Sequence, residues 1–310
     1  MKPDVLFIVG PTASGKTALS VELAKHIDCE IISADSRQIY KYMDIGTAKP
    51  TRAELAAVPH YFIDIKNPDE YYSAGQFGVE ARVVIADIVK RKKQPVVVGG
   101  SGLYIHGLID GFFWPKIADQ QVKTKLKQEL KINGISSLYD KLKIVDPLTA
   151  KKLPATDTQR ILRALEVFAI TGVPFAKYLE KKSIPANFNP VMFGLFVDRE
   201  VLYTRIEKRV DLMIKNGLTD EVQKLLDLGY HEELNALQTV GYKEVFMYFN
   251  KKIVKEQMVA LIKQKTRNYA KRQLTWFRKD ERIEWLNLSE DNLTSKIISS
   301  IIHKLSFPLK

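Results

Sequence analysis

Hydrophobic positions fall into two regimes along the chain. Over the first hundred residues, short unbroken apolar runs alternate with stretches in which apolar residues return every three or four positions. The run at 5–9 predicts a buried strand that enters a glycine-containing turn at 10–15. From Lys16 onward, Leu19, Leu23 and Ile27 share one face of a helix. Residues 30–34 predict a second strand, ending in the polar cluster Asp35-Ser36-Arg37-Gln38, and 60–65 a third. Phe77, Ala81, Val84 and Ile88 mark another amphipathic helix, stopped by a basic run and Pro95. The β-branched run at 95–98 then breaks at Gly99-Gly100. Strands alternating with helices imply an α/β fold whose parallel sheet is wound by right-handed crossovers.

Beyond about residue 115 the pattern changes, and some seventy residues carry no strand signal. Val122, Leu126 and Leu130 give one helix face. Ile135, Leu138, Leu142 and Val145 give a second, closed by Asp146-Pro147. Ile161, Leu165 and Phe168 give a third, ended by Gly172 and Pro174. Residues 183–190, with two Pro and two Asn, read as a linker, and 191–197 return as a buried strand ending at Asp198. The expected organisation is an α/β core over 1–115, an all-helical insertion over 116–190, and the rest of the core over 191–310. That last part reads as mostly helical, with a long basic helix at about 253–279.

Composition narrows the class. A chain of 310 residues fits roughly two domains or one with an insertion. With 45% hydrophobic and 27% charged residues it can bury a core, which excludes general disorder. The single Cys29 excludes an intramolecular disulfide framework and a multi-cysteine zinc site, and His60, His106 and His231 show no metal spacing. Lys and Arg number 48 against 36 Asp and Glu, a net +12 that favours a polyanionic partner, nucleic acid before an acidic membrane surface. No stretch approaches the roughly 18 apolar residues of a spanning helix. The run at 5–9 follows Asp4 and does not read as a signal peptide, so the expectation is a cytoplasmic protein with no membrane partner.

The sharpest chemical signal is Gly10-Pro11-Thr12-Ala13-Ser14-Gly15-Lys16-Thr17, which matches GxxxxGK[ST] between a predicted strand and a predicted helix. Such a loop points successive N–H groups inward, and the helix N-terminus adds partial positive charge. Ser14 and Gly15 would contribute backbone donors. Lys16 would neutralise terminal phosphates, and the Thr17 hydroxyl would reach Mg²⁺ directly or through water. A nucleotide-hydrolysing P-loop protein adds an acidic residue at the end of a neighbouring strand. The strand at 95–98 ends instead in Gly99-Gly100-Ser101, and nothing marks Asp35, Asp64 or Asp198 as the metal ligand. A motor or switch NTPase is therefore disfavoured, whereas a transferase holding a diphosphate in the same cradle is not. Whether ATP also occupies the loop stays open. Asp35, at the C-terminal end of a parallel strand, lies where open α/β sheets bind ligands. Its position leaves three roles open: a base, a helix N-cap, or a water-mediated Mg²⁺ contact.

Several stretches together resemble the tRNA dimethylallyltransferase (tRNA isopentenyltransferase) family: GPTASGKT at 10–17, ISADSRQIYKYMDIGTAKP at 32–50, VVVGGSGLYI at 96–105, DTQRILRALEVF at 157–168 and LQTVGYKE at 237–244. The ordered set spans nearly the whole chain. The resemblance implies a P-loop core with a helical insertion and a Mg²⁺ requirement. It also implies transfer of a dimethylallyl group from dimethylallyl diphosphate to N6 of the adenine immediately 3′ of the anticodon. The P-loop, residues 10–17, becomes the diphosphate site, Asp35 the base for the adenine amine, and Asp35, Ser36, Arg37 and Gln38 contacts to the tRNA anticodon stem-loop. Gln159, Arg160, Ile161, Leu162 and Arg163 match a second tRNA-contacting stretch, and Gln238, Thr239, Val240, Gly241, Tyr242 and Lys243 a third. Lys123 falls where the family has a basic tRNA contact. Ser101 stands where many members have Thr, a residue that assists at the reacting centre and meets the tRNA. Arg209 resembles an arginine that meets the diphosphate.

Spacing alone puts Arg160 and Arg163 on one helical side, which also fits a solvated surface. The stretch 251–282 interleaves Tyr269, Trp276 and Phe277 with lysines and arginines. Val259, Ile262, Tyr269, Gln273 and Trp276 could form a core-facing stripe while the basic residues face phosphate. The reading is a monomeric tRNA prenyltransferase. Its rivals are an adenylate isopentenyltransferase acting on a free nucleotide, a small-molecule P-loop kinase, and an RNA-binding protein without catalysis.

Overall fold

The computed structural model describes residues 2–112, 119–180, 183–288 and 293–305. By backbone proximity the chain divides into two compact units, one of residues 1–109 with 186–310 and one of 110–185. The boundary expected at 115–116 lies outside the described residues.

The first unit opens with β1 (Asp4–Val9), α1 (Lys16–Leu23) and β2 (Cys29–Ser33), followed by α2 (Arg52–Ala57) and β3 (His60–Tyr61). Next come α3 (Ala74–Lys90), β4 (Gln94–Gly99) and α4 (Gly102–Ile109). The second unit holds α5 (Gln120–Val145), α6 (Pro147–Lys152), α7 (Thr158–Thr171) and α8 (Phe175–Leu179). The chain then returns through β5 (Asn189–Phe196), α9 (Arg199–Lys215), α10 (Leu218–Asp227), α11 (Tyr242–Phe249), α12 (Lys255–Phe277), β6 (Ile283–Asn287) and α13 (Leu293–Lys304).

Among the described residues six strands form one parallel sheet in the order β3-β2-β4-β1-β5-β6. Central strands covered on both faces should be apolar throughout. Accordingly, Val5 to Val9 and Val96 to Val98 are all buried. Leu6, Ile8, Val96, Val98, Phe193 and Leu195 share one core with Leu19 and Leu23 of α1 and Ile297, Ile298 and Ile301 of α13. In the second unit Leu126, Leu138, Leu142, Ile161 and Leu165 close a separate helical core. Gly134, at φ 74 and ψ 173, breaks α5 between the two apolar faces read from the sequence.

Three expectations need correction. The strand expected at 60–65 pairs only at His60–Tyr61, because Phe62 and Asp64 turn to positive φ and leave the β region. The linker read at 183–190 already contributes its last two residues to β5. The tail beyond 191 is not only helical: β6 adds an edge strand beside β5, with Met192 opposite Ile283.

Candidate active site

The phosphate loop follows β1, whose burial fixes its direction. Gly15, at φ 94, is the N-cap of α1 and supplies the left-handed turn that aims the first amides of that helix into the loop. Ser14 is fully buried and its Oγ has no hydrogen-bond partner among the described residues. An unsatisfied buried hydroxyl is costly, and here it sits inside a loop built to receive an anion. Lys16 folds back so that Nζ donates to the Pro11 carbonyl at 2.7 Å and the Gly10 carbonyl at 3.1 Å. Burial, and then the Arg209 charge, lower its pKa to about 7, while Asp35 opposes the shift. Arg209, on α9, donates to Thr12 Oγ1 at 3.3 Å. Burial also lowers the guanidinium pKa from its ordinary value. Two desolvated cations beside one anion-shaped loop favour a ligand of high negative charge.

The opposite wall is made where β2 and β4 end side by side. The N–H of Ala34 donates to the Val98 carbonyl at 2.8 Å, and the N–H of Ser101 donates to the Ala34 carbonyl at 3.2 Å. Gly99 permits this approach, since a Cβ there would collide with the Ala34 carbonyl. The result sets Asp35 beside Ser101: Ser101 Oγ accepts the Ser36 N–H at 3.0 Å. Asp35 Oδ1 accepts the N–H of Arg37 at 2.8 Å and of Gln38 at 3.4 Å. It therefore caps a turn, not a helix as one reading of the sequence had it; the next helix begins only at Arg52. Among the described residues Asp35 Oδ2 has no hydrogen-bond partner.

Both walls face one cavity of about 780 Å³, lined by Thr12, Ala13, Gly15, Lys16, Thr17, Asp35, Ser36, Arg37, Gln38, Gly99, Gly100 and Arg209. Gln238, Thr239, Val240, Gly241 and Lys243 line it from the loop before α11, and Lys265, Tyr269, Arg272 and Gln273 from α12. Gln238, Thr239 and Val240 are at least partly exposed, and Lys243 is exposed. Arg37 joins two of these groups, donating to the Asn235 carbonyl at 2.7 Å. Gln38 donates to the Ala48 carbonyl at 3.1 Å and accepts from Ser33 Oγ at 3.0 Å.

The sequence places Gln273 in a core-facing stripe but shows nothing of its role at the site. Its Oε1 accepts the Thr12 N–H at 2.8 Å and its Nε2 donates to the Gly100 carbonyl at 2.9 Å, so one buried amide holds the phosphate loop to the end of β4. A glutamine inside a basic helix carries no motif, and only its two partners reveal it. The buried stripe of α12 is Met258, Ile262, Ala270, Gln273 and Phe277. The stripe read from the sequence included Trp276, which is instead 46% exposed.

Tyr242 also departs from expectation. Its side chain is fully buried, the ring packs on Gly46, and the hydroxyl donates to Glu221 Oε1 at 2.6 Å. In this structure the residue has no exposed surface to offer an RNA. Glu221 in turn accepts the N–H groups of Asp44, Ile45 and Gly46, so the pair props the loop whose Gly46, Thr47 and Ala48 line the cavity.

Within the second unit, Gln159 and Arg160 are exposed, and Arg160 lies 3.4 Å from Asp157. Ile161, expected among the RNA contacts, is a core residue with a fully buried side chain, and Leu162 packs partly on the same core. Arg163 pairs with the buried Glu166 at 2.6 Å, and Lys123 lies 3.7 Å from the same carboxylate. Of the remaining acids, Asp64 pairs with Lys49 and Asp198 is the N-cap residue of α9.

Among the described residues no group of three or more His, Cys, Asp or Glu could hold a metal ion, and no helix is long and apolar enough to cross a membrane. A hard cation held mainly by diphosphate oxygens and water needs few protein ligands. The Thr17 hydroxyl and the Asp35 carboxylate, on one cavity, fit that kind of site.

Comparison with known proteins adds the family. A family model described as IPP transferase matches residues 38–280. A protein of Thermoanaerobacter sp. (strain X514) called tRNA dimethylallyltransferase is 44% identical over 99% of this chain and 100% of its own length. One of the same description from Acetivibrio thermocellus is 45% identical over 98% of this chain and 97% of its own. Among solved structures, a full-length tRNA isopentenylpyrophosphate transferase from Bacillus halodurans superimposes with a TM-score of 0.72 at 40% identity, covering 98% of this chain and 97% of that one. A eukaryotic dimethylallyltransferase described as acting on tRNA gives a TM-score of 0.78 at 27% identity, over 98% and 81% of the two chains.

Proposed function

The chain belongs to the IPP transferase family, and we propose that it transfers a dimethylallyl group from dimethylallyl diphosphate to N6 of the adenine immediately 3′ of the anticodon in tRNA. The observation that carries this reading is the meeting of the phosphate loop, with Lys16 and Arg209, and the unbonded oxygen of Asp35 on one cavity.

The diphosphate would lie in the loop, its charge met by the amides around Ser14 and Gly15, by Lys16 and by Arg209. The Ser14 hydroxyl would gain the partner it lacks. Mg²⁺, which the Thr17 hydroxyl would hold directly or through water, would supply further charge neutralisation on the diphosphate. The adenine amine is a weak nucleophile, so a carboxylate that takes its proton assists attack. The N6–carbon bond forms as the bond from the allylic carbon to the bridging oxygen breaks. The electron pair leaves with the diphosphate, and the N6 proton passes to Asp35 Oδ2. The Oδ1 bonds to Arg37 and Gln38 hold that carboxylate in place. Ser101, whose Oγ accepts the Ser36 N–H, would assist beside the reacting groups. The target base must leave its stack to enter the cavity, which costs little in an anticodon loop that is already single stranded. Arg37, Gln38, the 238–241 stretch and Lys243 would hold the RNA around it, and Arg160 would add an exposed positive charge from the second unit.

Labelled dimethylallyl diphosphate tests the reading. Label should enter an anticodon stem-loop carrying adenosine at the target position and not one carrying inosine, which lacks the amine. Equal labelling of both RNAs would exclude N6 as the acceptor.

A further inference from the structure

Among the described residues three carboxylates line the reaction cavity: Asp35, Glu54 and Glu244. Asp35 already has a role in the proposed chemistry, and Glu54 closes the capping box of α2 on Thr51. Glu244, in the first turn of α11, is the most covered of the three, 5% exposed. Its Oε2 accepts the N–H of Gly241 at 2.8 Å. Gly241, at φ 96, ends the 238–241 stretch that lines the same cavity. The other oxygen, Oε1, accepts no hydrogen bond and pairs with no cation among the described residues. A cap needs only one oxygen, and a buried ionised oxygen without a partner is costly. Glu244 thus repeats the arrangement of Asp35, with one oxygen held by backbone and the other unbonded on the cavity.

From these observations we propose, resting on the reading of this protein as a tRNA-modifying enzyme, that Glu244 Oε1 accepts a hydrogen bond from a ribose 2′-hydroxyl of the bound RNA, at the target nucleotide or the one beside it. An ionised carboxylate only accepts hydrogen bonds, and it repels phosphate. Its partner in a cavity that receives RNA is therefore a hydroxyl or an amine. The amine of the target adenine goes to Asp35. Lys243, next to Glu244 in the chain, and Lys265 of α12 line the same cavity and suit phosphates. Between two phosphates the chain always presents a ribose, and its 2′-hydroxyl is the donor that distinguishes RNA from DNA. Glu244 would then tie the cap of α11 to recognition of the sugar, because the carboxylate that holds Gly241 also meets the ligand.

Glu244→Gln separates this contact from a plain cap. Glutamine serves a capping box as glutamate does, so thermal unfolding should hardly change, but its neutral amide is a weaker acceptor than a carboxylate. Binding of an anticodon stem-loop should weaken about tenfold or more, the scale of one hydrogen bond to a charged group. Affinity for dimethylallyl diphosphate in Mg²⁺ should stay the same. Stem-loops carrying a single 2′-deoxynucleotide at each loop position locate the partner. One position should cost the wild type a similar factor and cost Glu244→Gln little. Stem-loops lacking single base amines test the competing donor and should show no such matched pair. Wild-type binding that is insensitive to every deoxy position overturns the contact without any variant. Unchanged RNA affinity in Glu244→Gln, a match to a base amine, or a loss confined to the diphosphate overturns it as well. Each of these leaves the transferase reading intact. Failure of the wild-type protein to modify the all-ribose stem-loop would instead overturn that reading.

Discussion

The Oγ of Ser101 accepts the backbone N–H of Ser36 at 3.0 Å across 65 residues of sequence. This bond joins the ends of β2 and β4 at the point where Asp35 leaves the sheet. It fixes the turn that Asp35 Oδ1 caps, and among the described residues the second carboxylate oxygen has no hydrogen bond. The carboxylate is thus oriented by backbone groups and has one oxygen to spend on chemistry.

Asp35→Asn keeps the cap through its amide oxygen, since Asn caps nearly as well as Asp. Stability should change by about 0.5 kcal/mol or less, while single-turnover transfer falls by roughly 10²–10⁴-fold with both substrates still bound. A loss seen chiefly as weak diphosphate binding and relieved by added Mg²⁺ would make Asp35 a metal contact. Near-normal single-turnover transfer would remove it from the chemistry.

Lys16 gives a pH signature. Its pKa is lowered to about 7, so the charged form that meets a diphosphate is lost as pH rises above 7. Once the diphosphate is fully ionised, its affinity should fall with rising pH by up to about tenfold per unit. Lys16→Met should bind weakly and show a flatter profile in calorimetric titration. The sign for stability is opposite. A lysine whose folded pKa lies below its unfolded value of 10.5 destabilises the fold below that value, fully so below about 7. Trading it for methionine should therefore raise Tm near pH 7 by about 2 °C or more.

Gln273→Leu leaves the Thr12 N–H and the Gly100 carbonyl without their partner. Two buried groups stranded in this way should cost about 2–4 kcal/mol, read by denaturant unfolding, with weaker diphosphate binding because the loop loses its tether. Gln273→Glu should keep the Thr12 bond and lose the donation to Gly100. A variant with wild-type stability and affinity would show that the amide holds nothing together.

Glu30 sets the acid limit. It is buried against Arg91, Lys93 and Tyr61, and the Arg91 bond first, then those to Tyr61 and Lys93, hold its pKa at about 2. A depressed carboxylate pKa stabilises the fold above its unfolded value of 4.5 and loses that effect as pH falls toward 2. Arg91 and Lys93 are partly exposed, which reduces the contribution to about 2 kcal/mol. Glu30→Gln should lower stability at pH 7 and flatten its fall between about pH 5 and about pH 2.

The phosphate loop and its flanking strand and helix were legible because glycine spacing, an unbroken apolar run and a helical repeat agree within twenty residues. β4 was legible for the same local reason. β6 was not: Ile283–Asn287 is a five-residue edge strand with only Ile283 buried, and only pairing with β5 distinguishes it from a helix end. α4 was hidden by its two glycines and by the Ser101 turn before it. Gly107 lies in close contact with Gly78 of α3, a helix–helix approach that favours glycine over helix propensity. At the site, residues bonded along the chain were readable, whereas Gln273, Glu221 and the buried roles of Tyr242 and Ile161 depend on partners far away in sequence.

The central claim is that the phosphate loop and Asp35 serve prenyl transfer to tRNA. Its most direct test incubates the wild-type protein with dimethylallyl diphosphate, Mg²⁺ and equal amounts of AMP and an anticodon stem-loop, and then digests the RNA for nucleoside mass spectrometry. The account requires N6-dimethylallyladenosine from the stem-loop, equimolar diphosphate release, and little modified AMP. Modification confined to AMP, or no prenylated adenosine in either acceptor, would contradict it.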